Sequence, residues 1–145
     1  NNYKESHIRS WLNDNFYNTA FNNEEKARIL TTTVDNSAAS TRDIPNNYAC
    51  ANTSDKVFLL SYSEATNASY GLSTTTARQL KPSAYAQSQG VYTNTSNGNS
   101  FWWLRSPSYY FADYARYVYF FGIVNYDYYV NFTYYGVVPA LWISL

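Results

Sequence analysis

At 145 residues the chain is long enough to bury a core, and its ten basic side chains balance ten acidic ones. That balance excludes the basic footprint of a dedicated nucleic-acid binder or a polybasic membrane binder. One cysteine, Cys50, and one histidine, His7, exclude an internal disulfide framework and a cysteine-rich zinc site.

The first periodic stretch is residues 6 to 17. Ile8, Trp11, Leu12 and Phe16 recur at helical spacing, and Ser6 is placed to cap the start. Asn22-Asn23-Glu24-Glu25 reads as a second helix start, with cap residues followed by acidic first-turn residues. Thr31 to Val34 is β-branched and predicts a short strand, and residues 35 to 55 read as a polar loop. Lys56 to Leu60 predicts a short buried strand, followed by a capping box in Ser61-x-x-Glu64. Residues 66 to 80 read as a second loop, Pro82 to Gln87 as a short helix, and Asn94 to Ser100 as a turn region. Phe101 to Leu104 is an aromatic strand that Pro107 ends. Strands are predicted at Tyr117–Phe121, Ile123–Tyr126 and Val137–Leu145, punctuated by Gly122 and Gly136. Helices first and strands afterwards predict one α+β domain over residues 1–145, without internal repeats. The last strand is expected inside the sheet. Ile8, Trp11, Leu12, Phe58, Leu59, Trp102, Leu141 and Trp142 are expected in the core.

No apolar run approaches the ~20 residues that span a bilayer, so membrane insertion is not expected. The polar opening Asn1-Asn2-Tyr3-Lys4-Glu5 has no signal-peptide character.

Four ordered motifs carry a resemblance: HIRSWLNDNFYNTAF at residues 7 to 21, DKVFLLSYSEA at 55 to 65, WWLRSP at 102 to 107 and GVVPALWISL at 136 to 145. Together they resemble the C-type-lectin-fold domains of gut bacteria and their phages, some of which are variable proteins of diversity-generating retroelements. That family commonly carries Arg where Val138 stands, and strand-forming sequence ahead of the first helix. The missing strand is consistent with a trimmed or degenerate N-terminus. The resemblance implies a C-type lectin fold with two N-terminal helices and a small antiparallel sheet. It also implies a variable segment near the C-terminus, and a setting at a cell surface, in secretion or on a phage particle. In such systems a template is copied with errors at adenines, so AAC and AAT codons diversify. Codons derived from those two never encode Lys, Glu, Gln, Trp or Met. Residues 108–135 contain none of the five, whereas the first 107 residues contain fourteen, a density that predicts roughly four in this stretch.

That same stretch holds ten Tyr and four Phe between Tyr109 and Tyr135. Tyrosine offers a large apolar face, a hydroxyl that donates and accepts, and only two torsions to freeze, which is why evolved binding surfaces favour it. The plainer reading is that Tyr and Phe form strands. Buried hydroxyls need partners, however, and ten of them would overload a small core. The expected ligand-binding residues are therefore Tyr109, Tyr110, Phe111, Asp113, Tyr114, Tyr117, Tyr119, Phe121, Asn125, Tyr126, Asp127, Tyr128, Tyr129, Asn131, Phe132, Tyr134 and Tyr135. Those from Tyr117 onward, Phe121 apart, are expected to share one exposed face, with Val118, Gly122, Val124, Val130 and Gly136 as scaffold. Such a face predicts an unidentified protein or cell-surface partner, or self-association.

Other candidates carry less. Adjacent Trp102 and Trp103 point to opposite faces of a strand, so core packing is expected rather than sugar stacking. Arg105 is expected to make a structural hydrogen bond or salt bridge. His7 reads as a surface or packing residue. Cys50 has only His7 as a possible catalytic partner, and no motif joins them, so no enzyme is expected. The Asn-x-Ser/Thr sequons at Asn52, Asn67, Asn94 and Asn131 carry no weight in a bacterial or phage protein. The acidic residues are scattered without calcium-loop spacing, and neither metal nor cofactor is expected. Two further functions compete with protein binding. One is a carbohydrate-binding module of the same fold. The other is an enzyme akin to the formylglycine-generating enzymes, whose chemistry needs paired cysteines.

Overall fold

The computed structural model describes residues 2–145. Ser6 opens the first helix, its Oγ accepting the Arg9 N–H at 3.3 Å. The helix runs as α1 (His7–Trp11), a π-helical turn (Leu12–Phe16) and α2 (Tyr17–Ala20). Asn13 lies in the wide turn. Its Nδ2 donates to Arg9 O at 3.1 Å and Val57 O at 2.8 Å, and its Oδ1 accepts the N–H groups of Lys56 and Val57 at 2.8 and 3.2 Å. One side chain thus enters the helical ladder and ties it to a distant segment, a recognised cause of a local π turn. α3 (Asn23–Arg28) starts at a complete capping box between Asn22 and Glu25.

β1 (Thr32–Val34) pairs antiparallel with β2 (Thr53–Asp55). α4 (Tyr62–Ala65) follows the expected Ser61–Glu64 capping box, and α5 (Ala84–Ser88) is capped by Ser83. β3 (Trp102–Pro107), β4 (Tyr114–Val118) and β5 (Tyr126–Tyr129) form a second antiparallel sheet in that order. The architecture is α+β, with short helices and two small antiparallel sheets.

Several expectations change. The strand expected over residues 137 to 145 forms only two isolated bridges, Phe58–Ala140 and Ile29–Ile143, with a third, Trp102–Gly136, just before it. Pro139 lies in this run and has no N–H to donate to a ladder. Lys56–Leu60 is not a strand: the chain bends at Lys56 and Val57, and its single bridge is Phe58 to Ala140. The last two strands lie elsewhere than expected, at Tyr114–Val118 and Tyr126–Tyr129. Trp11 and Trp142 are exposed, at 43% and 46%. Leu12 takes the inward position on the helix, and Trp11, about 100° away around the axis, rests on its flank against Phe16. Trp142 packs edge-on against Tyr70, while its neighbours Ala140 and Leu141 meet the core. Ile8 and Leu141 are half-buried against that core, and Val130, expected as scaffold, is exposed.

Two apolar clusters result. Tyr3, Leu12, Val34, Val57, Phe58 and Leu59 form the first. Ala65, Trp102, Leu104, Val118 and Val124 form the second, beneath the larger sheet.

A polar chain joins the elements. Arg9 Nε donates to Asp55 Oδ1 at 2.8 Å, and Thr53 Oγ1 donates to Asp55 Oδ2 at 2.7 Å. Asn36 Nδ2 donates to Thr53 Oγ1 at 3.0 Å, and Arg105 Nε donates to Asn36 Oδ1 at 3.1 Å. The Arg105 guanidinium then reaches Leu59 O at 2.6 Å, Asp35 O at 3.0 Å and both carboxylate oxygens of Glu64. All five of its N–H donors are used. Arg105→Ala would leave Glu64 without its cation and remove the donors to Asn36 Oδ1 and two carbonyls, and should destabilise the domain by about 3–5 kcal/mol, read as a lower urea midpoint. Gly122 has φ +82°, and a Cβ there would lie 1.8 Å from the Thr75 carbonyl oxygen. Gly122→Ala should therefore cost about 2–4 kcal/mol in the same measurement. An unchanged midpoint for either variant would contradict this packing.

Candidate ligand-binding surface

The larger sheet has two unlike faces. Trp102 lies opposite Val118 on the core face. Trp103 lies opposite Tyr117, Tyr117 opposite Tyr126, and Ala115 opposite Tyr128 on the other. Alternation along each strand therefore puts Trp103, Tyr117, Tyr126 and Tyr128 on the second face, and the pair Tyr114 and Tyr129 on the first. Phe132 and Tyr135, from the segment after β5, fold back over it. Tyr135 touches the rings of Trp103, Tyr117, Tyr128 and Phe132.

From this centre the ring contacts run outward without a break. One arm passes from Tyr128 and Tyr129 through Tyr114 to Phe111, Tyr110 and Tyr109. Another passes from Tyr126 through Tyr119 to Phe120 and Phe121. A third links Phe132 to Tyr134. Every ring between Tyr109 and Tyr135 thus belongs to one network. Its outer members, Tyr109, Tyr110, Phe111, Phe121, Tyr126, Tyr128, Tyr129 and Tyr134, are exposed. Asp113, Asn125 and Asn131 are exposed among them.

Not all the expected residues reach the surface. Tyr117 is buried, only 7% exposed, because it is covered by Tyr135 and Tyr126 and backed by Trp103. Tyr114, Tyr119, Asp127, Phe132 and Tyr135 are half-buried. The turn carrying Tyr109 to Asp113 is fixed from below by Ser108. Its buried Oγ accepts the N–H of Tyr110 at 3.1 Å and donates to the Asp127 carboxylate. Arg116, opposite Asp127, pairs with Asp43 and donates to Asn125 O at 3.2 Å. The acid and the base of β4 and β5 are therefore spent on positioning backbone. What remains outside is mainly aromatic, hydroxylic and amidic, with aliphatic Ala112 and Val130 and the charged Asp113 among it.

Three positioning residues escaped the sequence reading. Arg116 and Arg78 are buried, and Arg78 holds the turn after Phe121 through Gly122 O at 2.7 Å. Asn99 holds the Phe120 carbonyl at 3.2 Å. No motif marks any of them, since each binds backbone far away in sequence.

Beside the face lies a groove of about 700 Å³. Its floor is Leu59, Trp103, Leu104 and Ala115. One wall is the stretch from Tyr3 to Ile8, and the other runs from Val130 to Val137.

The fold and this surface define an α+β domain that carries a continuous aromatic network, largely exposed, on a scaffold tied by buried polar bonds. The chain belongs to the family described as a domain of unknown function, DUF6273, whose profile matches residues 1–145. No curated protein and no solved structure matches it. No helix among the described residues is long and apolar enough to cross a membrane.

Burial shapes the titration of the face. It pushes the Tyr117 phenol well above its usual range, reinforced by the adjoining Tyr135 hydroxyl. Tyr135 is raised by burial as well, and so is Tyr3 beneath the first helix, near the Asp55 charge. Tyr114 is pushed up to about 12, first by its hydrogen bond with Tyr129. A phenol whose folded pKa exceeds its unfolded value of about 10 holds its proton more tightly in the native state. Its contribution is fully present below pH ~10 and is lost as pH rises through the folded value. The urea midpoint should therefore fall above pH ~10, and Tyr117→Phe should make that fall shallower. Equal slopes in the two proteins would contradict the burial of Tyr117.

Proposed function

We propose that this chain is a ligand-binding domain of the C-type lectin fold, and that its tyrosine face is a hypervariable surface diversified by adenine-directed mutagenesis. Its partner is a protein, and no catalytic role is assigned to it. The observation that carries this reading is the division of residues 108–135 into two classes. Ser108, Arg116, Val118, Gly122 and Val124 are buried and hold the backbone. The exposed residues of the same stretch are mainly rings, Asn and Asp, with Ala112, Val130 and Thr133 among them. The lack of Lys, Glu, Gln, Trp and Met in the same stretch supports an origin from AAC and AAT codons. A continuous aromatic patch of this kind marks an interaction site or a route to self-association.

The alternative is a carbohydrate-binding module, favoured by exposed Asp113, Asn125 and Asn131 among rings that can stack on sugars. Among the described residues no three His, Cys, Asp or Glu side chains gather as metal ligands. Chelation with EDTA should accordingly leave the melting temperature unchanged. A fall of several degrees would support a calcium-bound lectin instead.

The genetic test is the neighbouring DNA. A near-copy of the 108–135 coding region with Asn codons at the exposed positions, beside a reverse transcriptase gene, is the expected finding. A locus with neither contradicts diversification. The biochemical test replaces Tyr110, Tyr126, Tyr129 and Tyr134 together by Ser. Capture of the partner should be lost, while stability changes by under ~0.5 kcal/mol per site. If these replacements unfold the domain, the rings are core and the reading fails.

A further inference from the structure

The groove beside the tyrosine face has a chemistry of its own. Its volume of about 700 Å³ lies within the range of ligand pockets. Trp103 on its floor and Ile8 on one wall lie outside the tyrosine-rich segment, whereas Ala115, Val130, Phe132 and Tyr135 come from it. Phe132 and Tyr135 belong to both the groove and the face, so a ligand on the face meets the groove at its margin.

Charge decides what fits. Arg105 borders the groove, but all five of its donors are bound within the domain, so it offers no site for an anion. Glu5, on the edge of the groove, is 70% exposed and already lies 3.9 Å from Lys4. A carboxylate in that position is screened by water and gives a cation little hold. Apart from Glu5 and the imidazole of His7, both exposed to water, an ionic group entering the groove would meet no free charge to offset its lost hydration. Aliphatic and aromatic groups lose nothing comparable and gain the ring faces of Trp103, Phe132 and Tyr135.

Resting on the protein-binding reading above, we infer that this groove is the anchor pocket of the surface, and that it receives uncharged apolar side chains from an exposed segment of the partner. A single aromatic or branched aliphatic side chain occupies part of the volume, and a neighbouring one fills the rest. Such an anchor, desolvated at the edge of a tolerant face, is where binding energy concentrates in protein interfaces. Because one wall is the tyrosine-rich segment, changes at Val130, Phe132 and Tyr135 reshape the pocket while Leu59, Trp103 and Leu104 stay constant. The groove thereby sets which apolar side chain a given version of the domain accepts.

The test needs no natural partner. The ¹⁵N-labelled domain is titrated separately with N-acetyl-leucinamide, N-acetyl-tryptophanamide, N-acetyl-lysinamide and methyl β-glucopyranoside, and shifts are followed by NMR. The two apolar amides should produce saturable shifts at the Trp103 indole N–H and along residues 130–137. The lysine amide and the glucoside should produce none at the same concentration. Ala115→Leu, which fills the floor, and Val130→Trp, which fills the wall, should each weaken apolar-amide binding at least tenfold in a domain that melts as the parent does. Tyr85→Ser, on α5 and outside the aromatic network, should leave it unchanged. Absence of shifts with the apolar amides, or equal shifts with the lysine amide or the glucoside, overturns the inference. If the amides fail while the four-tyrosine Ser variant still loses the partner, the groove is not the anchor and the protein-binding reading stands.

Discussion

Arg105 is a cation almost wholly removed from water, and the course of four chain segments follows from where its hydrogen bonds go. Burying a guanidinium costs several kcal/mol unless every donor is met. Here they are met by Asn36, the carbonyls of Asp35 and Leu59, and the Glu64 carboxylate. Those groups lie on the loop after β1, on the extended segment before α4 and on α4 itself. The Arg105 backbone N–H also donates to Leu60 O at 2.9 Å. Through Asn36 and Thr53 the chain of bonds continues to Asp55 and then to Arg9 on the first helix. A domain with short helices and strands of six residues or fewer gains little from long ladders. Its elements are joined instead by buried polar side chains that reach across tens of residues.

That economy bears on the surface. The core face of the larger sheet is packed by Trp102, Val118 and Val124, and its ends are pinned by Arg78, Arg116 and Ser108. The opposite face is then free to carry rings without responsibility for the fold. Tyr117 and Tyr135 mark the boundary: they are buried or half-buried, they meet each other, and the exposed rings are arranged around them. Exposed tyrosines elsewhere, such as Tyr85 on α5, stand apart from this network and need no functional reading.

The parts of this arrangement legible in the sequence are those fixed by local rules. The capping boxes at Asn22–Glu25 and Ser61–Glu64, the Ser6 cap and the end of β3 at Pro107 all depend on residues within a few positions of one another. The aromatic strand and the clustering of tyrosines were legible too, and the rings do form one network. Phase and register were not. Trp11 and Trp142 are as hydrophobic as any core residue, but their neighbours Leu12 and Leu141 take the inward positions. Tyr117 became buried because β4 starts at Tyr114 and pairs it with Trp103 and Tyr126, a register that alternation alone does not specify. The polar loops hid Asn36, Arg78 and Asn99, whose partners are distant carbonyls and amides.

The central claim is that residues 108–135 separate into a fixed scaffold and an interchangeable face. The most direct measurement is a pair of displayed libraries scored by protease resistance. One randomises Tyr109, Tyr110, Phe111, Tyr126, Tyr129 and Tyr134; the other randomises Ser108, Arg116, Tyr117, Val118, Gly122 and Val124. Most members of the first library should resist cleavage as the parent does, and few members of the second should survive. Equal loss of resistance in the two libraries would contradict it.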